Sequence, residues 1–232
     1  MSKRIIIALD FDSAELAQKL LDQLDPHQCR VKIGKELFTA CGPLFVKQVV
    51  NQGFDVFLDL KFHDIPTTVA KAVKTAANLG VWMINVHASG GKAMMQHARE
   101  VLEPLGRQRP LLIGVTVLTS MERQDLLEIG INASAEAQVE KLAVLTQQAG
   151  LDGVVCSAAE TSMLRSRLGN AFVLVTPGIR REEDAAGDQK RFAGPADAIR
   201  NGSDFLVVGR PITRAASPAE ALSAFNLALA GL

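Results

Sequence analysis

No stretch of the 232-residue sequence is apolar for anything near the roughly 20 residues that a membrane-spanning helix needs. Met1–Arg4 leads directly into a strand-like segment, without the charged, apolar and cleavage regions of a signal peptide. Cysteine is scarce. Cys29, Cys41 and Cys156 are odd in number, far apart and outside any Cys-x-x-Cys or Cys/His ligand spacing, so neither a disulfide framework nor a zinc site is expected. Three buried thiols suit a reducing compartment, and the expectation is a soluble cytoplasmic protein. Net charge is also missing: 25 basic and 25 acidic residues are spread along the chain, which excludes a bulk electrostatic footprint for nucleic acid or anionic membrane. Any anion site must therefore be local. No Gly-x-Gly-x-x-Gly follows the first strand-like run, so a dinucleotide-binding fold has little support.

What the chain has is apolar residue, 48% of it, enough for one substantial core. Strand-like runs alternate with helix-period segments from end to end, the mark of βαβ units around a parallel sheet. The strands are read at Arg4–Asp10, Arg30–Gly34, Val56–Lys61, Trp82–Ala88, Leu111–Leu118, Gly153–Ser157, Phe172–Pro177 and Phe205–Gly209. Between and after them come a helix following Ser13, with Leu16, Leu20, Leu21 and Leu24 on one side, and helices over Pro43–Gln52, Thr67–Leu79, Lys92–Leu105, Ser134–Ala149, Ala159–Leu168, Pro195–Asn201 and Pro218–Leu229. A short polar segment separates the fifth strand from the helix at Ser134. Eight such units without a linker or composition break predict an α/β protein, a (β/α)8 barrel forming a single domain over 1–232. A doubly wound open sheet is the competing topology.

In a barrel the carboxyl ends of all strands lie at one rim, where active sites are built. Polar residues in this sequence concentrate there: Asp10 after the first strand, Lys32 and Lys35 on and after the second, Asp59, Lys61 and Asp64 on and after the third. Asn85 and His87 end the fourth, Thr116, Thr119 and Ser120 the fifth, Thr176 to Arg180 the seventh, and Gly209-Arg210 the eighth. The two Gly/Arg endings, with Gln189 in the long seventh loop, suit a phosphate, because glycine lets backbone amides approach and arginine offers a forked donor. Surface arginines beside ordinary turns are the plainer alternative.

The costliest segment is Val56 to Thr68, VFLDLKFHDIPTT, where three charges stand among Val, Phe, Leu and Ile. Burying charge is unfavourable unless the charges pair. Asp59 and Lys61, two apart in a strand, share one face while Leu58 and Leu60 share the other. Lys32 and Lys61 can interleave with Asp59 and Asp64 in an alternating network, which would keep the lysines cationic and the aspartates ionised. The same pattern fits a structural ion-pair lattice closing the barrel top. His63 reads as a solvated loop residue, and His87 and Asn85 as hydrogen-bonded packing residues. No carboxylate and histidine spacing here marks a metal site.

These residues resemble a known family. Asp59-Leu-Lys61-Phe-His-Asp64-Ile-Pro-Thr-Thr68, together with Asp10, Val-Lys32-Ile-Gly-Lys-Glu, Leu-Thr119-Ser120-Met, Thr-Pro-Gly-Ile-Arg180, Ala-Gly-Asp-Gln189 and Val-Gly209-Arg210-Pro, resembles the bacterial orotidine 5′-phosphate decarboxylase family in order and spacing across essentially the whole chain. The Asp-x-Lys-x-x-Asp core alone is shared with the related 3-keto-gulonate-phosphate decarboxylases, so the remaining motifs carry the weight. The resemblance implies cofactor-free loss of carbon dioxide from orotidine 5′-phosphate to give uridine 5′-phosphate, with no metal. It implies a homodimer with sites at the interface, Lys32, Asp59 and Lys61 coming from one subunit and Asp64 and Thr68 from its partner. Lys61 would be the proton donor, Asp10 and Lys32 would contact the ribose, Ser120 the pyrimidine amide and Thr119 the adjoining pocket. Arg210, Gly209, Gln189 and Arg180 would hold the phosphate. A metal-dependent sugar-phosphate decarboxylase and a catalytically silent nucleotide-binding barrel are the rival readings.

Overall fold

The computed structural model describes residues 3–181 and 193–232. Among them eight parallel strands, β1 (Ile5–Ala8), β2 (Arg30–Gly34), β3 (Val56–Phe62), β4 (Met83–His87), β5 (Leu111–Val115), β6 (Gly153–Val155), β7 (Val173–Pro177) and β8 (Phe205–Val208), pair in sequence order. Ile6 of β1 registers with Val207 of β8, which closes the barrel and removes the open edge that a doubly wound sheet would keep. The predicted (β/α)8 barrel is the fold.

Its outer helices are α1 (Ala14–Leu21), α2 (Lys35–Asn51), α3 (Pro66–Ala77), α4 (Gly91–Glu100), α5 (Arg123–Glu128), α6 (Ala135–Gln148), α7 (Thr161–Leu168), α8 (Pro195–Arg200), α9 (Arg210–Thr213) and α10 (Pro218–Ala228). Alternation along each strand sorts side chains between two cores. Ile6, Phe57, Met83, Ile113, Val175 and Val207 pack together inside the barrel. Val56 and Leu58, offset by one, join the larger cluster between sheet and helices. No helix among the described residues is long and apolar enough to cross a membrane.

The amino-terminal rim is shut by ion pairs that repeat around the barrel. Asp152, just before β6, accepts both terminal nitrogens of Arg109 at 2.6 Å and the backbone N–H of Leu112 at 2.8 Å. Asp204, just before β8, accepts from Arg165 at 2.7 Å and from the Leu174 N–H at 2.8 Å. Asp55, just before β3, pairs with Lys3 at 2.6 Å and Arg30 at 3.4 Å, and the Arg30 guanidinium lies 4.2 Å from the centre of the Trp82 ring. Each clasp ties one strand to its neighbour at the closed end, leaving the carboxyl ends as the face where groups can diverge.

Several boundaries differ from the expected ones, for identifiable reasons. Helix α2 joins two helical stretches across the non-helical Gly42 (φ 70°): the second starts at Pro43, as expected, and the additional one runs over 35–41, directly after β2. The helix predicted over Lys92–Leu105 ends at Glu100, and a short 3-10 segment, Glu103–Gln108, follows around Pro104 and Gly106. The polar segment after β5 contains α5, started by reciprocal capping between Glu122 and Asp125. On α1 the buried face is Ala17, Leu20 and Leu21, while Leu16 is exposed, since positions 17, 20 and 21 share a face and 16 lies off it.

Breaking one clasp leaves a half-buried guanidinium and a backbone N–H without their shared acceptor. Asp152→Ala should therefore cost about 3 kcal/mol, seen as a fall in Tm of roughly 6–12 °C for a chain of this size. An unchanged Tm in a thermal melt would show that the clasp holds nothing.

Candidate functional site

Strand β3 delivers the charge cluster into the barrel mouth. Phe57 sits in the inner core, and Asp59 and Lys61, two and four residues on, continue along that inner face. Lys61 Nζ donates to Asp59 Oδ1 at 2.6 Å, as the two-residue spacing predicted. Lys32, on β2, stands between two carboxylates, 3.4 Å from Asp59 Oδ2 and 3.1 Å from Asp10 Oδ1. The Lys32 and Asp59 side chains are only 12% and 11% exposed, so each charge survives there by pairing. Gly34 makes room for this contact, because a Cβ there would stand 3.3 Å from Lys32 Nζ and 3.8 Å from Asp10 Oδ1.

Lys61 holds a backbone conformation that ordinary side chains avoid. Its φ is 51°, and it is the only non-glycine residue with positive φ among those described. Such a residue costs about 1–2 kcal/mol relative to the right-handed alternative. Strain of this kind persists only where surrounding contacts impose it.

Beside the cluster opens a cavity of about 210 Å³, lined on its charged side by Lys32, Asp59 and Lys61 and elsewhere by Phe57, Val115, Val155, Val175, Val207, Pro177 and Thr119. One end is polar and the other apolar, which suits a flat heterocycle carrying an ionised group. Cys156 is part of the wall; burial pushes its thiol up to about 12, so it serves as an apolar surface there and not as a nucleophile. A larger hollow of about 510 Å³ lies at the opposite rim, along Arg4, Asp204 and Leu232, away from these charges.

The other predicted residues are distributed around the same rim. Asp10 follows β1 and is exposed apart from its contact with Lys32. Thr119 and Ser120 are exposed on the loop after β5, Thr119 bordering the cavity. Gly209 and Arg210 start α9 after β8, and Arg180 is half-buried after β7, past Gly178 at φ 78°. Strands β7 and β8 are paired, which makes the loops carrying the two arginines neighbours. Gln189 lies outside the described residues. Thr116 and Thr176, also read at strand ends, turn out to be buried stitches, the first donating to the Val155 carbonyl at 3.1 Å and the second bonded to Ser203 at 2.7 Å.

Asp64 is not part of the cluster in its own chain. It is exposed in the loop after β3 and accepts the N–H of Ile65 at 2.6 Å, and Thr68, in the first turn of α3, is exposed beside it. The alternating network within one chain is therefore Asp10, Lys32, Asp59 and Lys61. Among the described residues no group of His, Cys, Asp and Glu is arranged to hold a metal ion.

A family model described as "Orotidine 5'-phosphate decarboxylase / HUMPS family" matches residues 3–225. The chain belongs to that family. Orotidine 5′-phosphate decarboxylase of Tolumonas auensis is 60% identical over 228 residues, 98% of both chains. That of Actinobacillus succinogenes is 59% identical over 232 residues, the full length of both. The solved structure of orotidine 5′-phosphate decarboxylase from Lactobacillus acidophilus superposes with a TM-score of 0.90 at 39% identity, over 99% of this chain and all of that one.

One residue of this family member's site was undervalued in the sequence. Asn85, read as a packing residue, is fully buried and donates from Nδ2 to Asp59 Oδ1 at 2.6 Å. Only its place two residues before His87, on the strand next to the charge cluster, could have flagged it. His87 is half-buried, its ring centre 5.4 Å from that of the exposed His63. Burial first, then the positive neighbours His63, Lys35 and Lys61, hold its pKa below the ordinary 6.5, against the attraction of Asp59.

The sign of that shift gives a test. Below about 6.5 the unfolded chain takes up a proton at this histidine before the folded one does, so stability rises with pH through the window up to 6.5 and is lost as pH falls below it. Denaturant unfolding at pH 5.5 and 7.5 should find that His87→Gln loses less stability on acidification than the parent protein. Equal losses would mean that His87 is not held neutral by its surroundings.

Proposed function

We propose that this chain decarboxylates orotidine 5′-phosphate to uridine 5′-phosphate without a cofactor, and that it does so as a cytoplasmic homodimer. The observation that carries the reading is the Lys61 ammonium 2.6 Å from Asp59 Oδ1, on the charged side of a cavity whose opposite wall is mainly apolar. Full-length relatives 57–60% identical to this chain are named for that reaction, which favours it over the sugar-phosphate branch and over a silent binding barrel.

The chemistry asks for these groups. Breaking the bond between C6 and the carboxylate releases carbon dioxide and leaves the electron pair in an in-plane orbital that the pyrimidine ring cannot delocalise. A fixed cation beside C6 stabilises that pair, and a proton from the same cation completes the product. Lys61 fills both roles, its amine then regaining a proton from solvent. Asp59 also repels the substrate carboxylate, but a like-charge contact near 4 Å is worth about 4 kcal/mol at the effective dielectric of such sites. Enzymes lower barriers by roughly 8–23 kcal/mol, so repulsion is the smaller part. The larger part comes from Lys61 held ready, and from phosphate binding at Arg180, Gln189, Gly209 and Arg210, whose energy orients the ring. Asp10 and Lys32 are assigned to the ribose hydroxyls, and Thr119 and Ser120 to the pyrimidine edge.

Asp64, exposed and bonded to the Ile65 N–H of its own loop, and Thr68, exposed on α3, are assigned to the site of the partner subunit, where Asp64 would complete the alternation beside Lys61. Lys61→Ala should lower turnover by 10²-fold to about 10⁴-fold while uridine 5′-phosphate still binds. Asp64→Ala should likewise be nearly inactive alone. Mixed in equal amounts and allowed to exchange, the two inactive proteins should recover about a quarter of the parent activity, because half of the dimers are hybrids and each hybrid holds one intact site. No recovery despite proven exchange would place Asp64 within its own subunit's site, and full activity of Lys61→Ala would remove the proton donor.

A further inference from the structure

The register of the barrel breaks at one place beside the charge cluster. On β3 and β4, Leu58 pairs with Ile84 and Phe62 pairs with Val86. Three residues of β3, Asp59, Leu60 and Lys61, thus stand opposite a single residue of β4, Asn85. Extra residues in one strand leave backbone groups without ladder partners and bend the strand locally. Here the bulge contains both charged residues of the reacting pair.

Asn85 occupies the gap. Its Oδ1 accepts the backbone N–H of Lys61 at 2.8 Å, in the place a main-chain carbonyl of β4 would take in a regular ladder. Its Nδ2 donates to Asp59 Oδ1 at 2.6 Å, the same oxygen that receives Lys61 Nζ at 2.6 Å. The orientation of the amide is dictated by its partners, since a backbone N–H only donates and a carboxylate only accepts. One fully buried side chain therefore fastens the backbone of Lys61 and the carboxylate of Asp59 to each other, across the residue whose φ of 51° departs from normal strand geometry. On the other side Asn85 registers with Ile113 of β5.

We infer that Asn85 is a positioning residue for the reaction: its carboxamide replaces the ladder bond lost at the β3 bulge and thereby fixes where Lys61 presents its ammonium relative to Asp59. It acts through those two residues, and the inference rests on the decarboxylase reading. A merely structural asparagine would affect stability alone, whereas this one governs the chemical step and not the binding of the phosphate.

Two substitutions separate these cases. Asn85→Ala removes both bonds, and a displacement of about 1 Å at the ammonium should lower kcat about 100-fold, with KM and uridine 5′-phosphate binding within about threefold of the parent. Asn85→Asp keeps the acceptor for the Lys61 N–H and, when protonated, also the donor to Asp59. Two adjoining carboxylates share a proton, which keeps the new acid neutral at low pH. The titratable neighbours are Asp59 and Lys61 on β3, Lys32 behind Asp59, and His87 on the same strand. Relative to the parent at each pH, Asn85→Asp should keep most activity at pH 5.5 and lose it as pH rises to 8.5. The inference is overturned if Asn85→Ala has parent-like kcat, or if Asn85→Asp follows the parent profile or is inactive at every pH. Should Asn85→Ala fail to fold, the Asn85→Asp profile decides alone. A parent protein inert toward orotidine 5′-phosphate would instead overturn the functional reading.

Discussion

The Asp59 carboxylate accepts from three strands at once: Lys61 on its own strand, Asn85 on β4, and Lys32 on β2. An ionised carboxylate that is 11% exposed in an apolar barrel requires such a set of donors. The dependence runs both ways. Without Asp59, two lysines would face each other across a cavity lined by valines and Phe57, and the ammonium would have no fixed position. The unusual backbone at Lys61, the bulge in β3 and the cleared space at Gly34 are all consequences of seating this one group.

A closed parallel barrel makes that seating possible because its two rims carry separate duties. The amino-terminal rim spends its charged residues on clasps, Asp152 with Arg109 and Asp204 with Arg165, which bind neighbouring strands together. The carboxyl-terminal rim can then hold groups that diverge from ideal strand geometry without loosening the sheet. Neighbouring strands place neighbouring groups around it: β7 and β8 lead to the two arginines, β1 and β2 to Asp10 and Lys32, and β3 and β4 carry the Asp59–Lys61 pair and Asn85.

Much of this was legible from sequence because it rests on periodicity. Alternation in VFLDLKF placed Asp59 and Lys61 on one face, and repetition of βα units gave the closed barrel. Pairing of Lys32 and Lys61 with Asp59 followed from charge burial, whereas the contact of Lys32 with Asp10 came only from the structure. What escaped depended on contacts between strands or on local backbone. Asn85 resembled an ordinary packing residue because nothing in a linear sequence shows that β3 carries extra residues opposite it. The helical stretch over 35–41 escaped because it follows β2 directly, and the non-helical Gly42 separates it from the helix that was read from Pro43. In the charge pattern Asp64 reads the same as Asp59, and only the family resemblance set it apart; in its own chain the loop after β3, ahead of Pro66 at the start of α3, leaves it outside the cluster.

The central claim is that a lysine fixed by a buried carboxylate removes carbon dioxide from orotidine 5′-phosphate unaided. The most direct measurement is turnover of orotidine 5′-phosphate by the purified protein in excess chelator, followed by loss of substrate absorbance together with released carbon dioxide. The expected result is one uridine 5′-phosphate and one carbon dioxide per substrate consumed, at a rate that added magnesium does not change. No consumption of orotidine 5′-phosphate, or consumption only when a divalent metal is restored, would contradict it.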